Sequence, residues 1–429
     1  MMLRLAAIVI LVLSAATDLA GAQLRGHGGP VRALAISPDG SEAVSGSFDT
    51  SIIRWSLARS AAEQVLRSHD GAVDAVLWLA DGRIVSSGED ARIALWRGGE
   101  QKPSAVLAGH QAPVVALAVS PDGASIASAS RDRTARLWPL DGTSGPRVLD
   151  GHAQGVNGVA FSPDGAALVT AGYDATIRIW LLRRAQAPSV TTLPSPLNAV
   201  AVAPDGEIVT AGGDGMVYVL SKGGERTGEI AAADAPIIAL ALSRDGRLIA
   251  AAGIRGSVAI IERGSRRLVR TLVGPGLPVW SVAFFPDNRM LLTGGADRVI
   301  RRWDAATGEP IGDVVAGAPA DPLSAFAGDP GAEVFRACVA CHTLRRDDGP
   351  RAGPSLAGIF GRRIATLPGY DFSDALRRLD IIWTPETVSK LFELGPMAYT
   401  PGTKMPEQRV GSAADRAALV RFLERATEQ

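Results

Sequence analysis

Residues 152–180 read HAQGVNGVAFSPDGAALVTAGYDATIRIW. They contain a strand-length apolar segment, Val156 to Phe161, which ends at a turn that carries Asp164 and Gly165. The last five residues alternate in character, as expected of a strand whose two faces lie in different environments. Asp-Gly is a dipeptide that tight hairpin turns prefer. We therefore predict that this stretch forms short strands joined by hairpin turns.

The same pattern recurs seven times between residue 27 and about residue 316. The turns in register are Ser37-Pro38-Asp39-Gly40, Ala80-Asp81-Gly82, Ser120-Pro121-Asp122-Gly123, Ser162-Pro163-Asp164-Gly165, Ala203-Pro204-Asp205-Gly206, Ser243-Arg244-Asp245-Gly246 and Phe285-Pro286-Asp287-Asn288. The matching strand ends are Trp55, Trp96, Trp138, Trp180, Leu220, Ile261 and Trp303, at spacings of 41, 42, 42, 40, 41 and 42 residues. This is the period of a four-stranded propeller blade. We predict an all-β, seven-bladed propeller over residues 23–316.

The first four repeats resemble the WD40 family. Each has a histidine before the first strand, a hydroxyl residue, an aspartate in a tight turn and a tryptophan six positions after that aspartate. The four sets are His27, Ser45, Asp49 and Trp55; His69, Ser86, Asp90 and Trp96; His110, Ser128, Asp132 and Trp138; and His152, Thr170, Asp174 and Trp180. The resemblance implies that each set forms a hydrogen-bonded chain inside its blade, since a buried Trp N–H and a buried carboxylate each need a partner.

The last three repeats depart from this pattern. The residues at the His, hydroxyl, Asp and Trp positions are Leu193, Thr210, Asp214 and Leu220; Ala233, Ala251, Arg255 and Ile261; and Pro275, Thr293, Asp297 and Trp303. We expect these blades to depend more on apolar packing. The segment that closes the ring is left open: residues 310–316 could supply the outer strand of the seventh blade, and the segment before His27 is very short for that role.

A second motif, Cys338-Val339-Ala340-Cys341-His342, holds both cysteines of the chain. Two thiols on one helical turn can add across the two vinyl groups of a haem, and the adjacent imidazole can then bind the iron. A thioredoxin-like redox pair and half of a zinc site use the same Cys-x-x-Cys spacing. Zinc would need two more ligands, this half of the chain has no other Cys or His, and a redox pair would not need His342. We predict one covalent haem c on Cys338 and Cys341, with His342 as an axial ligand.

Residues 329–429 resemble the class I c-type cytochromes, and closely resemble the mitochondrial type. The matching stretches, in order, are residues 338–343, 353–356, 358–362, 369–370, 382–383 and 399–405, followed by a closing helix at about residues 414–426. The resemblance implies an all-α cytochrome domain in which Met405 is the second axial ligand of the iron. Met397, only eight residues earlier, is its rival and would otherwise serve in packing.

The same resemblance assigns three residues around the haem. The carbonyl of Pro354 would accept a hydrogen bond from His342, which would set the tautomer of that imidazole. Arg362 and Trp383 match positions near the haem propionates, which need hydrogen-bond donors when buried. The alternative for these two is a surface arginine and a core tryptophan.

The N-terminus predicts export. Arg4 precedes an apolar run from Leu5 to Ala16, and the small residues 20–22 precede Gln23, which together read as a secretory signal peptide over residues 1–22. A buried helix and an uncleaved anchor are the alternatives. Since bacterial c-type haem is attached outside the cytoplasmic membrane, we expect a bacterial periplasmic protein. Residues 317–328, small and containing proline, read as a linker.

Charge excludes some functions. The 44 basic and 44 acidic residues balance, which argues against a nucleic-acid-binding protein. From Asp329 onward the count is 14 basic against 13 acidic, and Met397 and Ala398 replace a lysine pair of the family's docking face. Electrostatic steering should therefore be weak, and the partner should differ from that of mitochondrial cytochrome c.

We predict an electron carrier and not an enzyme, whose partners are a periplasmic redox protein and a protein docked on the propeller. One alternative is a periplasmic oxidoreductase with a catalytic propeller and the cytochrome as electron outlet. Four of the five histidines occupy equivalent repeat positions, however, and no cysteine is left for a derived cofactor. Another alternative is a redox sensor in which the haem gates partner binding.

Overall fold

The structure is a computed structural model, and it describes residues 23–142, 144–184, 186–274, 276–311, 323–336, 338–339, 341–345, 351–370, 372–403, 405 and 409–428. The predicted signal peptide and the first part of the predicted linker lie outside the described residues. In the part that is described, no helix is long and apolar enough to cross a membrane.

The described residues form 28 β-strands. In chain order these are β1 (Leu24–Arg25), β2 (Val31–Ile36), β3 (Glu42–Ser47), β4 (Ser51–Ser56), β5 (Ala61–Arg67), β6 (Val73–Trp78), β7 (Ile84–Gly88), β8 (Ile93–Trp96), β9 (Ala105–Leu107), β10 (Val114–Val119), β11 (Ser125–Ser130), β12 (Thr134–Pro139), β13 (Arg147–Asp150), β14 (Val156–Phe161), β15 (Ala167–Gly172), β16 (Thr176–Leu181), β17 (Ser189–Thr192), β18 (Leu197–Val202), β19 (Ile208–Gly212), β20 (Met216–Leu220), β21 (Arg226–Ala231), β22 (Ile237–Leu242), β23 (Leu248–Gly253), β24 (Ser257–Glu262), β25 (Arg267–Val273), β26 (Val279–Phe284), β27 (Met290–Gly295) and β28 (Val299–Asp304).

These strands make seven four-stranded sheets, so the predicted seven-bladed propeller is confirmed. The first six blades are runs of four consecutive strands: β2–β5, β6–β9, β10–β13, β14–β17, β18–β21 and β22–β25. The seventh blade has the order β1-β28-β27-β26 and therefore takes its outer strand from the N-terminal end of the described chain.

The structure closes the ring with one of the two segments that the sequence left open, and residues 312–316 of the other lie outside the described residues. The segment before the first repeat, short as it is, pairs with β28, and Leu24 lies opposite Ile300. At the other end of β28, Trp303 forms a bridge with Pro310, the first residue of the alternative segment 310–316. Two residues suffice because Leu24 is fully buried in a cluster that joins the first and seventh blades.

The blades are held together by apolar side chains on both faces of each sheet. In β20, Tyr218 and Leu220 pack against the fourth blade, whereas Val217 and Val219 pack against the sixth. This alternation follows from the two-residue period of a strand. Each fully buried side chain of this size contributes roughly 1.5–3 kcal/mol through the area removed from water.

The three departing blades are packed as expected. Leu220 and Ile261 are fully buried at the tryptophan positions of the fifth and sixth blades. In the fifth blade Tyr218 donates a hydrogen bond to Asp214, 2.5 Å away. The seventh blade keeps one link of the network, from Trp303 Nε1 to Thr293 at 2.8 Å. Pro275, at its histidine position, lies outside the described residues.

The C-terminal region contains α1 (Pro330–Phe335), α2 (Asp374–Arg377), α3 (Pro385–Leu394), α4 (Pro396–Tyr399) and α5 (Ala413–Thr427), with a 3₁₀ turn at Ser324–Phe326. Asp329 caps α1 as its carboxylate accepts from the Gly331 amide at 2.7 Å. Phe335 of α1 packs on Phe422 of α5. Between α1 and α2 the described residues form turns and loops, apart from an isolated bridge of Arg363 with Ile382. An all-α class I domain therefore stays a prediction.

Candidate functional site

A cavity of about 730 Å³ lies beside the Cys-x-x-Cys-His turn, between the C-terminal region and the propeller. All seven residues that the sequence assigns to a haem site line it: Cys338, Cys341, His342, Pro354, Arg362, Trp383 and Met405. The rest of the wall from this region is largely apolar and includes Phe335, Leu391 and Leu423. The fold thus brings together residues that lie up to 67 positions apart in the chain.

The cysteines follow α1 in one helical turn. Cys338 is linked to α1 by its amide, which donates to Phe335 O at 2.7 Å, and the His342 amide donates to Cys338 O at 2.9 Å. Burial raises the pKa of Cys338 to about 12 and that of Cys341 to about 11, the latter with help from the nearby Asp49 carboxylate. A redox pair needs a thiolate at neutral pH, and these thiols remain protonated there. The thioredoxin-like alternative is therefore disfavoured.

The tautomer of His342 follows from its hydrogen bond. Its Nδ1 lies 2.8 Å from the carbonyl oxygen of Pro354, and since a carbonyl can only accept, Nδ1 carries the proton. Burial lowers the pKa of His342, so the imidazole is neutral at pH 7. Nε2 of this tautomer has a lone pair, which is the form in which histidine binds a metal ion.

Gly353 has a role that the sequence analysis missed. A Cβ built on it would lie 2.5 Å from Cε1 of His342, which is closer than van der Waals contact allows. The amide of Gly353 also donates to Cys341 O at 2.8 Å. Any side chain at this position would therefore push the imidazole away from Pro354. The sequence offered only the Gly-Pro pair as a signal.

Met405 and Met397 lie in different environments. Met405 is half-buried, lines the cavity and packs against the core of the C-terminal region, and its amide donates to Thr403 Oγ1 at 3.1 Å. The side chain of Met397 is absent from the cavity lining and is 68% exposed. Of the two candidates, Met405 is the one placed to contact a group in the cavity.

Arg362 and Trp383 are neighbours in the cavity wall. The Trp383 amide donates to Arg362 O at 3.0 Å. The guanidinium of Arg362 donates to the carbonyl oxygens of Ala357 and Ser355, at 3.1 and 3.0 Å. These bonds hold the arginine against the cavity instead of leaving it on an open surface.

The propeller also contributes to the wall, through Asp49, Arg67, Ser68, Asp70, Lys102 and Pro103. The sequence predicts none of these six as residues of this site, because the propeller and the C-terminal region read as separate units. Asp49 was assigned only to the first-blade network, and the other five carry no repeat signal. No spacing in the chain connects them with the Cys-x-x-Cys-His turn.

The four predicted blade sets form the expected chains of hydrogen bonds. In the first blade, Trp55 Nε1 lies 2.7 Å from Ser45 Oγ, which lies 2.7 Å from His27 Nε2, and His27 Nδ1 lies 3.0 Å from Asp49. The other three blades repeat this arrangement with distances of 2.7–3.0 Å. Although burial opposes it, hydrogen bonding and the histidine charge lower the pKa of Asp49 to about 2. The four histidines are thus committed to their own blades.

Comparison with known families agrees with both halves of this description. The family described as IFT122 first beta-propeller matches residues 73–314, more than half of the chain, and the family described as WD domain, G-beta repeat matches residues 21–56. Cytochrome c of Cochliobolus lunatus is 38% identical over 99 residues, which are 23% of this chain and 91% of that protein.

Two further relatives agree with the first. Cytochrome c of Arabidopsis thaliana is 38% identical over 99 residues, or 23% of this chain and 88% of that protein. Cytochrome c type-1 of Ascaris suum is 39% identical over 97 residues, 22% of this chain and 83% of that protein. The chain therefore belongs to the IFT122 first beta-propeller family of WD-repeat propellers, and about a quarter of it is homologous to cytochrome c.

Proposed function

We propose that the C-terminal region holds one covalent haem c and transfers single electrons, and that the propeller is a protein-docking module. The observation that carries the proposal is the convergence of Cys338, Cys341, His342 and Met405 on one cavity. Its volume of about 730 Å³ lies within the roughly 300–1,000 Å³ typical of sites for small organic ligands and cofactors. The residues present therefore fit a haem.

Each residue has a defined task in this proposal. The thiols of Cys338 and Cys341 would hold the haem, each by adding across one vinyl group to form a thioether. His342 offers its Nε2 lone pair, held in place because Nδ1 is bonded to Pro354. Met405 offers a soft thioether, which favours Fe(II) over Fe(III). Haem c supplies an iron that changes between these two states.

His342 and Met405 would both bind the iron, and a substrate would then find no position on it. Electron transfer without bond chemistry is then the function that these ligands permit. The enzyme alternative needs a second catalytic site in the propeller. The commitment of His27, His69, His110 and His152 to their blade networks weighs against such a site.

We further propose the domain division 23–316 for the propeller, 317–328 for the linker and 329–429 for a class I cytochrome domain of the mitochondrial type. The similarity to cytochrome c over 99 residues supports the assignment of the cytochrome domain. The apolar run Leu5–Ala16 within the predicted signal peptide 1–22 supports export to a bacterial periplasm, which is also where haem attachment would take place. The partner would be a periplasmic redox protein.

The propeller would hold that partner or another protein and so raise the effective concentration of the haem beside it. This part of the proposal rests on analogy with other WD-repeat propellers. The near balance of charge from Asp329 onward supports a docking role for the propeller. Weak electrostatic steering of a partner toward the C-terminal region makes a separate docking surface useful.

The proposal is tested by extracting the purified, exported full-length protein with acidified acetone. Haem held by two thioether bonds should stay with the polypeptide. The same treatment should remove any haem from a Cys338→Ala, Cys341→Ala double variant, which cannot form those bonds. Ser130→Ala, at a buried position of the third blade that does not line the cavity, is the control for general damage and should behave as the wild type. A colourless wild-type protein, or pigment that acetone removes, would contradict the proposal.

A further inference from the structure

The first blade differs from its equivalents where it meets the Cys-x-x-Cys-His turn. In four blades the residue after the network histidine donates its amide to the blade's aspartate, at 2.7–3.1 Å. These residues are Gly28, Asp70, Gln111 and Ala153. The backbone conformation at this position therefore accepts a side chain in three blades. Something other than conformation must account for the glycine in the first.

The neighbour of Gly28 supplies that reason. A Cβ built on Gly28 would overlap Sγ of Cys341, and the next nearest atoms are Cβ of the same cysteine at 3.5 Å and Oδ2 of Asp49 at 3.8 Å. The sulfur that would carry one thioether thus lies directly on the first blade. A side chain at residue 28 would separate the two surfaces.

A second contact joins the propeller to the segment that orients His342. The guanidinium of Arg67, at the end of β5, donates to the carbonyl oxygens of Arg351, at 3.1 Å, and Ala352. In the reverse direction, the Ala352 amide donates to Gly26 O at 3.1 Å. Residues 351–352 are therefore hydrogen-bonded to the propeller through both donors and acceptors of their backbone.

The same guanidinium lies over an aromatic ring. Its Cζ is 4.2 Å from the centroid of Tyr370, whose hydroxyl donates to Ala352 O at 2.8 Å. An arginine in this position gains a cation–π contact as well as its hydrogen bonds. Pro354, the acceptor for His342, follows Ala352 by two residues.

We propose that the first blade is a dock for the chain's own Cys-x-x-Cys-His turn, and that Arg67 is a positioning residue for the haem site. The inference rests on the proposed function, since it takes the cavity to hold haem. The propeller covers the side of the cavity at Cys341, so a redox partner would reach a bound haem from another side. Arg67 holds the segment that carries Pro354 and adds a positive charge to the cavity wall, which disfavours Fe(III).

The dock is tested with Gly28→Leu in the full-length, haem-loaded protein. The matched control is Ala153→Leu, the same position on the fourth blade, where no contact with the C-terminal region is present among the described hydrogen bonds. Hydrogen exchange of the Ala352 amide should be at least about tenfold faster in Gly28→Leu than in wild type, because its acceptor on Gly26 moves away. Ala153→Leu should exchange as the wild type does. Equal exchange in all three proteins would overturn the dock.

Arg67 is tested by its effect on the midpoint potential. Arg67→Met should lower the potential while the covalent haem spectrum is retained, and Arg67→Lys, which keeps the charge, should restore most of it. Arg59→Met removes a charge from the turn that precedes β5, whose first residue, Ala61, is about 20 Å from Arg67 at 3.3 Å per residue, and should leave the potential unchanged. A wild-type potential in Arg67→Met would overturn the positioning role.

The two proposals fail in different ways. If the wild-type protein carries no haem, the proposed function is wrong, whereas exchange of the Ala352 amide still reports on the dock. If haem is present and covalent but Gly28→Leu and Arg67→Met both behave as wild type, the function stands and the dock is wrong.

Discussion

At the scale of single residues, a few hydrogen bonds decide what the cavity can hold. The bond from His342 Nδ1 to Pro354 leaves Nε2 with the lone pair that a metal ligand needs, and Gly353 leaves room for the ring. The sequence could predict His342 and Pro354 because their order matches a known family, whereas the role of Gly353 needed the structure. It could not reveal Arg67 or Gly28, because an arginine at a strand end and a glycine in a turn have many uses.

The second axial ligand is tested by comparing Met405→Ala with Met397→Ala. Met405 lines the cavity and Met397 does not, so only the first substitution should open a coordination position. We expect Met405→Ala to keep its covalent haem and to bind added imidazole, with a changed absorption spectrum. Met397→Ala should keep the wild-type spectrum. The assignment is wrong if Met405→Ala has an unchanged spectrum, or if Met397→Ala shows the changes.

At the scale of elements, the blades fill the space of the tryptophan network in two ways. Where Trp, His and Asp are present, a central hydroxyl satisfies two buried nitrogen atoms, as Ser128 does for Trp138 and His110. Where they are absent, aliphatic side chains fill the space, as Ile261 does in the sixth blade. The sequence predicted these strands well because a period near 41 residues repeats seven times. The loops of the C-terminal region carry no repeated sequence pattern, so their course could not be predicted from the sequence.

The hydrogen-bonded network predicts that removing the central hydroxyl lowers the free energy of unfolding by different amounts in different blades. Ser128→Ala leaves two buried nitrogen atoms without their partner and should lower the free energy of unfolding by about 2–6 kcal/mol, at roughly 1–3 kcal/mol for each unsatisfied group. Thr210→Ala, at the equivalent position of the fifth blade, removes one hydrogen bond to Ala199 O and should cost about 1 kcal/mol for the bond plus the loss of a buried methyl group. Urea unfolding of both variants measures the difference. Equal losses of unfolding free energy would show that the hydrogen-bonded network contributes no stability beyond that of packing.

At the scale of the whole molecule, the ring and the cavity depend on the same short stretch. Leu24 closes the seventh blade, and Gly26 and Gly28 contact the C-terminal region within the next four residues. We therefore expect ring closure and docking to be coupled through the start of the described chain. A two-residue strand has no periodicity, which is why the sequence left the closure open.

The coupling makes a prediction about Leu24. Its side chain is 1% exposed and packs in the cluster between the first and seventh blades, so Leu24→Ala should lower the free energy of unfolding by about 2–5 kcal/mol. Leu268→Ala, in the outer strand of the sixth blade and 45% exposed, should cost well under half of that. Because β1 leads directly into the dock, Leu24→Ala should also speed hydrogen exchange of the Ala352 amide, whereas Leu268→Ala should not. If Leu24→Ala destabilises the propeller but leaves that exchange rate unchanged, closure and docking are independent.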